Sequence, residues 1–269
     1  MKCPICGHKV FEKIFTFSAP PLIETKYKSL ADVEYQRVTW QCVNCKHFID
    51  SHEMDLSEIY SGEYVDATYK DNEGVKRTFE RIINLPPEKS DNTGRVKRLN
   101  EFAAAYWKSY DARSVLDIGS GLGVFPYLMK QHGWEVTALD PDQRAVTHAK
   151  EVIGVEGICG DFFEVTPDNK FDLITFNKVL EHVSDPIKML AKSLENLNPG
   201  GLVYVEVPDG DIASLDGSER EEFTIDHLHI FSFISVAILA DKAGFYPVTI
   251  ERLQEPSTKF TLRAFLKAK

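Results

Sequence analysis

What this chain has little of already limits what it can be. Its 269 residues contain no apolar run approaching the ~20 residues of a membrane span. Nothing hydrophobic stands before the cysteine of Met1-Lys2-Cys3, so neither a span nor a secretory leader is expected and the expected location is the cytoplasm. Positive charge is scarce: 31 Lys and Arg face 41 Asp and Glu, a net charge of −10. The deficit hides no basic module, since residues 1 to 59 carry seven basic and eight acidic side chains and leave −9 for the rest. Nucleic-acid affinity depends on neutralising phosphates, so RNA or DNA is not the expected partner. Cysteine is sparse at five residues, and no internal repeat or low-complexity tract appears. A hydrophobic content of 43% over this length suits one α/β domain plus a small module.

The most informative stretch present is Val115-Leu-Asp-Ile-Gly-Ser-Gly-Leu-Gly-Val-Phe125, an apolar strand that breaks into a glycine-rich turn opening a helix. Gly119, Gly121 and Gly123 let backbone approach a ligand without a Cβ in the way, and the helix start offers unpaired N–H groups. A dinucleotide fingerprint needs a glycine three residues after Gly121, but Val124 stands there. NAD is therefore the weaker reading, and Asp117 at the strand end suits a ligand carrying a cationic amine.

Three more strand ends carry polar groups. Glu135-Val-Thr-Ala-Leu-Asp140 ends in a carboxylate about 20 residues past the glycines, where such folds bind ribose hydroxyls. Asp140 is read either so or as the N-cap of the helix beginning near Asp142. The runs to Asp161, with Phe162 next, and from Phe171 to Asn177 complete the set. Alternating strand and helix patterns then predict a helix over Thr93 to Lys108 and another over Pro186 to Leu197. A turn at Asn198-Pro-Gly-Gly201, a strand from Leu202 to Pro208, a helix over Ser232 to Ala243 and strands over Tyr246 to Arg252 and Phe260 to Leu266 follow. This is a doubly wound α/β domain with a parallel sheet. Cys159 reads as a small core residue.

The glycine loop with Asp117 resembles motif I of class I S-adenosylmethionine-dependent methyltransferases. The resemblance implies a Rossmann-like sheet of seven strands closed by an antiparallel hairpin, with S-adenosylmethionine as cofactor. It also implies that Asp161 hydrogen-bonds the adenine amine, that Phe162 lies near the ring and that Asn177 borders the methyl-donor pocket. Phe162 and Phe163 fit the core equally well.

Cys3-Pro-Ile-Cys6 and Cys42-Val-Asn-Cys45 form two Cys-x-x-Cys knuckles separated by thirty-five residues. Thiolates on two tight turns can close a tetrahedral site, so Cys3, Cys6, Cys42 and Cys45 are expected to hold one structural zinc ion in a ribbon-like module, with strands such as Lys9 to Thr16 and Glu34 to Trp40 between the knuckles. His8 and His47 read as bystanders to that site. The expected organisation is a zinc-ribbon-like module over 1–59, a connector and helix over 60–110 that packs on or caps the active site, and the methyltransferase domain over 111–269. Tyr60, Tyr64 and Tyr69 in the connector either line the pocket or pack the module against the domain. Arg95, Lys97 and Arg98 read as a local basic patch or a solvated helix face.

Two histidine segments remain: Asn177-Lys-Val-Leu-Glu-His182 and Asp226-His227-Leu-His229-Ile-Phe-Ser232. Both are expected over the C-terminal edge of the sheet, where open α/β sheets bind ligands. A four-cysteine module, a methyltransferase domain and these segments together resemble deoxysugar C-methyltransferases acting on nucleotide-linked sugars. That resemblance implies His227 as base, assisted by Asp226, with Thr224 where the family has tyrosine and without the family's additional C-terminal domain. Both departures favour O-methylation of a nucleotide-linked sugar or related surface-glycan precursor, with His182 as reserve base. His182 and His229 read equally as structural histidines. The alternatives are a methyltransferase that docks on rRNA or protein through the ribbon, and a cofactor-binding protein without catalysis.

Overall fold

A computed structural model of the chain describes residues 1–59, 72–107 and 113–269. The first unit is an antiparallel sheet in the order β1 (Phe11–Phe17), β2 (Arg37–Cys42), β3 (Phe48–Ser51). β3 was not expected, since it spans only four residues. The buried guanidinium of Arg37 pairs with Glu24 and, at 2.6 Å, with Asp50, and lies over the Phe17 ring. Phe17, Tyr27, Tyr35, Met54, Leu56 and Ile59 form a core that also takes in Ile225, a residue of the second unit.

The second unit is a seven-stranded sheet in the order β6-β5-β4-β7-β8-β10-β9. Its strands are β4 (Ser114–Ile118), β5 (Glu135–Asp140), β6 (Glu156–Cys159), β7 (Phe171–Asn177), β8 (Leu197–Pro208), β9 (Phe245–Gln254) and β10 (Phe260–Ala268). β4 to β8 pair in parallel, and β10 runs antiparallel to both β8 and β9, which gives the expected closing hairpin. Side chains alternate across a strand, and here each face has its own core. Leu116, Ile118, Ile174, Phe176, Val203 and Val205 pack with Met189, Leu190, Val236 and Leu239 on one face. Those partners lie on α5 (Pro186–Lys192) and α7 (Phe233–Lys242).

On the opposite face Val115, Leu173, Leu202 and Tyr204 pack with Val96, Leu99, Phe125 and Met129. These come from α2 (Asp91–Tyr106) and α3 (Val124–Gln131); α1 (Asn72–Ile83) precedes them in the chain, and α4 (Gln143–His148) and α6 (Gly210–Asp216) follow. The same alternation puts Asp117, Thr175 and Asn177 on the α2/α3 face toward the strand ends. Among the described residues no helix is long and apolar enough to cross a membrane.

Several expectations need correcting. The helix expected over Pro186 to Leu197 stops at Lys192, continues as a 3-10 turn over Ser193–Asn196, and Asn198-Pro-Gly-Gly201 runs inside β8 rather than turning before it. Cys159 is exposed, because β6 is an edge strand. Arg95 and Arg98 are neither a patch nor a solvated face: Arg95 is buried against Glu206, and Arg98 pairs with Glu251.

Candidate active site

At the C-terminal edge of β4 the backbone turns through three left-handed glycines, Gly119, Gly121 and Gly123, with φ of 68°, 49° and 69°. A Cβ on Gly119 would meet Val179 at 2.7 Å, and one on Gly123 would collide with Ile153, so a side chain at either position would both strain the left-handed backbone and displace a neighbour. Asp140 accepts hydrogen bonds from the amides of Gly121 and Asp142, both 2.8 Å, and thereby ties the loop to β5. The cap of α4 is Asp142, which accepts from the Arg144 amide at 2.7 Å, so Asp140 is not the capping residue. Burial pushes the Asp140 carboxyl above its usual range.

Asp117 is 2% exposed and accepts from Thr175 Oγ1 at 2.6 Å and Asn177 Nδ2 at 2.8 Å. Burial raises its pKa to about 7 against the pull of those two donors. Asn177 Oδ1 and Ser120 Oγ are buried without a hydrogen-bond partner. Orphaned polar atoms beside a glycine cradle fit a ligand with donors of its own. Asp161 lies exposed beyond β6, holding the Phe163 amide at 2.8 Å. Phe162 is buried in the core, edge-on to Phe176 with ring centres 6.1 Å apart.

From Asn177 the chain passes Val179, in contact range of Gly119, and reaches Glu181 and His182. There it meets the segment that follows β8. His182 Nδ1 lies 2.8 Å from the carbonyl oxygen of Asp226 and 3.7 Å from its carboxylate. His227 Nδ1 lies 2.9 Å from the carbonyl oxygen of Glu222. A carbonyl only accepts, so both Nδ1 atoms carry the proton and the lone pair of each ring is on Nε2. The rings meet edge to face, 4.9 Å between centres. Burial, then the neighbouring His227, push the His182 pKa down. Asp226 stays below its usual value although burial opposes this, because His227, His182 and Thr224 all favour its charged form. Glu181, His182 and His227 also offer three ligand atoms within 4.8 Å of one another, and Glu181 Oε2 is buried without a partner.

A protein-family model described as a methyltransferase domain matches residues 75–250. The chain belongs to that family. Among curated methyltransferases, the ubiquinone biosynthesis O-methyltransferase of Escherichia coli (strain Crooks) is 29% identical over 173 residues, 60% of this chain and 65% of that protein. The one from Erwinia tasmaniensis is 30% identical over 166 residues, 58% and 61% of the two chains. The chain thus spans under two thirds of the length of these relatives. Two solved methyltransferases share the fold. The Burkholderia thailandensis 1,6-didemethyltoxoflavin-N1-methyltransferase, solved with S-adenosylhomocysteine, has a TM-score of 0.58 at 18% identity and covers 88% of this chain and 97% of its own. The magnesium protoporphyrin IX methyltransferase from Synechocystis PCC 6803 has a TM-score of 0.59 at 13% identity and covers 79% and 100%.

The methyltransferase domain is joined to a cysteine cluster. Cys3 Sγ lies 3.5 Å from Cys45 Sγ, Cys6 Sγ lies 3.5 Å from Cys42 Sγ, and all four sulfurs fall within 4.8 Å of one another. Tetrahedral zinc–thiolate bonds of about 2.3 Å require sulfurs roughly 3.8 Å apart, so the set fits such an ion. Cys3 is drawn down to about 5 by the Cys45 thiol that donates to it, while that bond raises Cys45 and burial raises Cys42.

His47 is not among the ligand atoms of the cysteine cluster, and it is fully buried, with Nε2 3.1 Å from His229 Nδ1 and Nδ1 3.3 Å from Ser235 Oγ. No spacing rule could have found this pair, whose members are 182 residues apart. Tyr60, Tyr64 and Tyr69 lie outside the described residues, and the boundaries at 59/60 and 110/111 adjoin or fall within undescribed stretches.

Proposed function

We propose that the protein transfers the methyl group of S-adenosylmethionine to a hydroxyl of a polar small molecule, of the nucleotide-linked sugar class or a related surface-glycan precursor. The observation that carries this reading is the pairing of His182 and His227 where the chain segment that leaves β7, passing the glycine loop, meets the segment that follows β8. His227 presents a lone pair on Nε2 beside a buried carboxylate, which is what a base for a neutral hydroxyl needs. The acceptor oxygen forms its bond to the methyl carbon as the sulfur–carbon bond breaks, and the hydroxyl proton passes to His227 Nε2. Asp226 favours the cationic imidazole that results, and His182 is the reserve base.

In the same reading Asp140 takes the ribose hydroxyls. Asp161 takes the adenine amine, while Phe162, buried against Phe176, stays in the core behind it. Gly119, Gly121 and Gly123 admit the cofactor, and Asp117 with Asn177 faces its cationic end. One zinc ion held by Cys3, Cys6, Cys42 and Cys45 closes the N-terminal module, and thiols kept reduced for metal suit a cytoplasmic protein. The two ubiquinone relatives are by name O-methyltransferases, which favours oxygen as the acceptor atom. The net charge of −10 argues against an rRNA acceptor. The deciding experiment is a mass-spectrometric screen of nucleotide sugars and simple polyhydroxy or phenolic acceptors for a methyl-sized gain that needs S-adenosylmethionine. Gain on none of the hydroxyl acceptors, with gain on an amine or a protein instead, would overturn the reading.

The partnerless Oε2 of Glu181 favours one rival: a divalent cation on Glu181, His182 and His227 that binds the acceptor hydroxyl and makes it acidic. Turnover that stops on mild chelation and returns with manganese, while the cysteine-bound metal stays in place, would select the cation over the base.

A further inference from the structure

The segment carrying the histidines is sewn into the N-terminal module at four points. The Ile225 amide donates to Glu24 Oε2 at 2.9 Å, and Glu24 is itself held by the Tyr35 hydroxyl. His229 Nδ1 meets His47 Nε2 at 3.1 Å. Phe48 and Ile230 exchange both backbone hydrogen bonds, 2.9 and 3.2 Å, as an isolated antiparallel bridge. Ser232 Oγ donates to the Cys45 carbonyl at 2.5 Å. All of these groups are buried. The line continues past the contact: the His229 amide donates to the Glu181 carbonyl at 3.1 Å, next to His182, and the His47 carbonyl accepts from the Cys42 amide at 2.8 Å.

We infer that His47 is a positioning residue: through His229 it fixes the Asp226–His227 segment and the Glu181–His182 turn against each other, so that the four-cysteine module builds the acceptor side of the active site. This rests on the proposed role of His182 and His227, and it extends that role to a residue some 180 positions away in sequence. The chemistry is that of a buried polar pair. Two buried imidazoles satisfy each other only in one relative placement, and a group left unmatched there is costly. Segment 225–232 then cannot drift without breaking bonds to the module, whereas the glycine loop shares none of them.

The test uses the full-length protein as purified and compares wild type, His47→Ala and His47→Gln. Amide hydrogen exchange is read at Ile225, His229 and Ile230 and at the glycine loop, S-adenosylhomocysteine affinity by calorimetry, and the His227 ring tautomer by nitrogen NMR. His47→Ala should speed exchange at His229 and Ile230 by about tenfold or more and mix the His227 tautomers, with cofactor affinity held within about twofold. His47→Gln, whose amide reaches the same partner, should restore most of both signals. If His47→Ala does not fold, His229→Gln against His229→Ala applies the same test from the other side. Unchanged exchange at these amides, equal acceleration at the glycine loop, or a glutamine variant as poor as alanine would overturn the inference. None of these readouts depends on turnover, so they can fail while the proposed reaction stands, and the acceptor screen can fail while they hold.

Discussion

The two sides of the active-site edge are built by different means. On the proposed cofactor side the groups are held by neighbours on adjacent strands: three left-handed glycines, a carboxylate that ties Gly121 to β5, and Asp117 paired across to Thr175 and Asn177 on β7. On the proposed acceptor side the groups are side chains, held by partners from the far end of the chain, with Glu24 and Ile225 separated by 201 residues. One side is a local conformation that any Rossmann-like strand end can present. The other is an interface between two cores, and its geometry is only as good as the module that supports it. Loss of the module should therefore divide the two sides, and so should single substitutions.

The largest effect is expected from the metal. Structural zinc in a small module carries an apparent binding energy of about 10 kcal/mol or more, so Cys45→Ser should lose the ion and the order of the module with it. The wild-type protein should carry one zinc equivalent by elemental analysis. In the variant, exchange should rise across residues 1–59 and 225–232 while S-adenosylhomocysteine still binds. Less than about half an equivalent of zinc in carefully purified wild type would remove the claim. Loss of cofactor binding together with the metal would erase the contrast between the two sides.

Next comes the base. His227→Ala should lower turnover by roughly 10²-fold or more at neutral pH, less at high pH where hydroxyl ionisation substitutes, with cofactor affinity nearly intact. A comparable loss in His182→Ala with little in His227→Ala would move the base to the turn after β7. On the cofactor side Asp140→Ala should weaken S-adenosylmethionine binding about ten- to hundredfold, roughly 1.5–3 kcal/mol, by removing bonds to the ribose and to the loop at once. Unchanged affinity by calorimetry would leave Asp140 as a loop tie alone.

This division also explains what could be read in advance. Asp117, the three glycines, Asp140 and the two cysteine knuckles each announce themselves over a few residues, because a tight turn or strand end fixes which residue types fit there. The seven strands and the closing hairpin followed from the family resemblance, whereas the order of the strands was read only from the structure. The His47–His229 pair, the Glu24 anchor and the burial of Arg95 against Glu206 have no local signature, since each is created where chain segments meet in space. Phe162 shows the remaining ambiguity: a phenylalanine beside a strand end is equally at home against adenine or against Phe176, and only packing tells which face is occupied.

The smallest effect, and the finest probe of the cofactor side, is the proton on Asp117. Its folded pKa of about 7 lies above the value near 4 of an unfolded aspartate, so the proton favours the folded, cofactor-free protein. That contribution is complete below about pH 4 and is lost as the pH rises through about 7. A cationic cofactor group near the carboxylate has the opposite preference, because it draws Asp117 toward its ionised form. Binding S-adenosylmethionine between pH 6 and 7 should therefore release a proton, and affinity should fall on acidification by at most about tenfold per pH unit from this one group. Calorimetry in buffers of different ionisation enthalpy measures that release directly. Asp117→Asn should abolish it while keeping a hydrogen-bonding side chain against Thr175. A release of the same size in the variant would assign the proton elsewhere, and no release in wild type would mean that the cationic end of the cofactor does not reach β4.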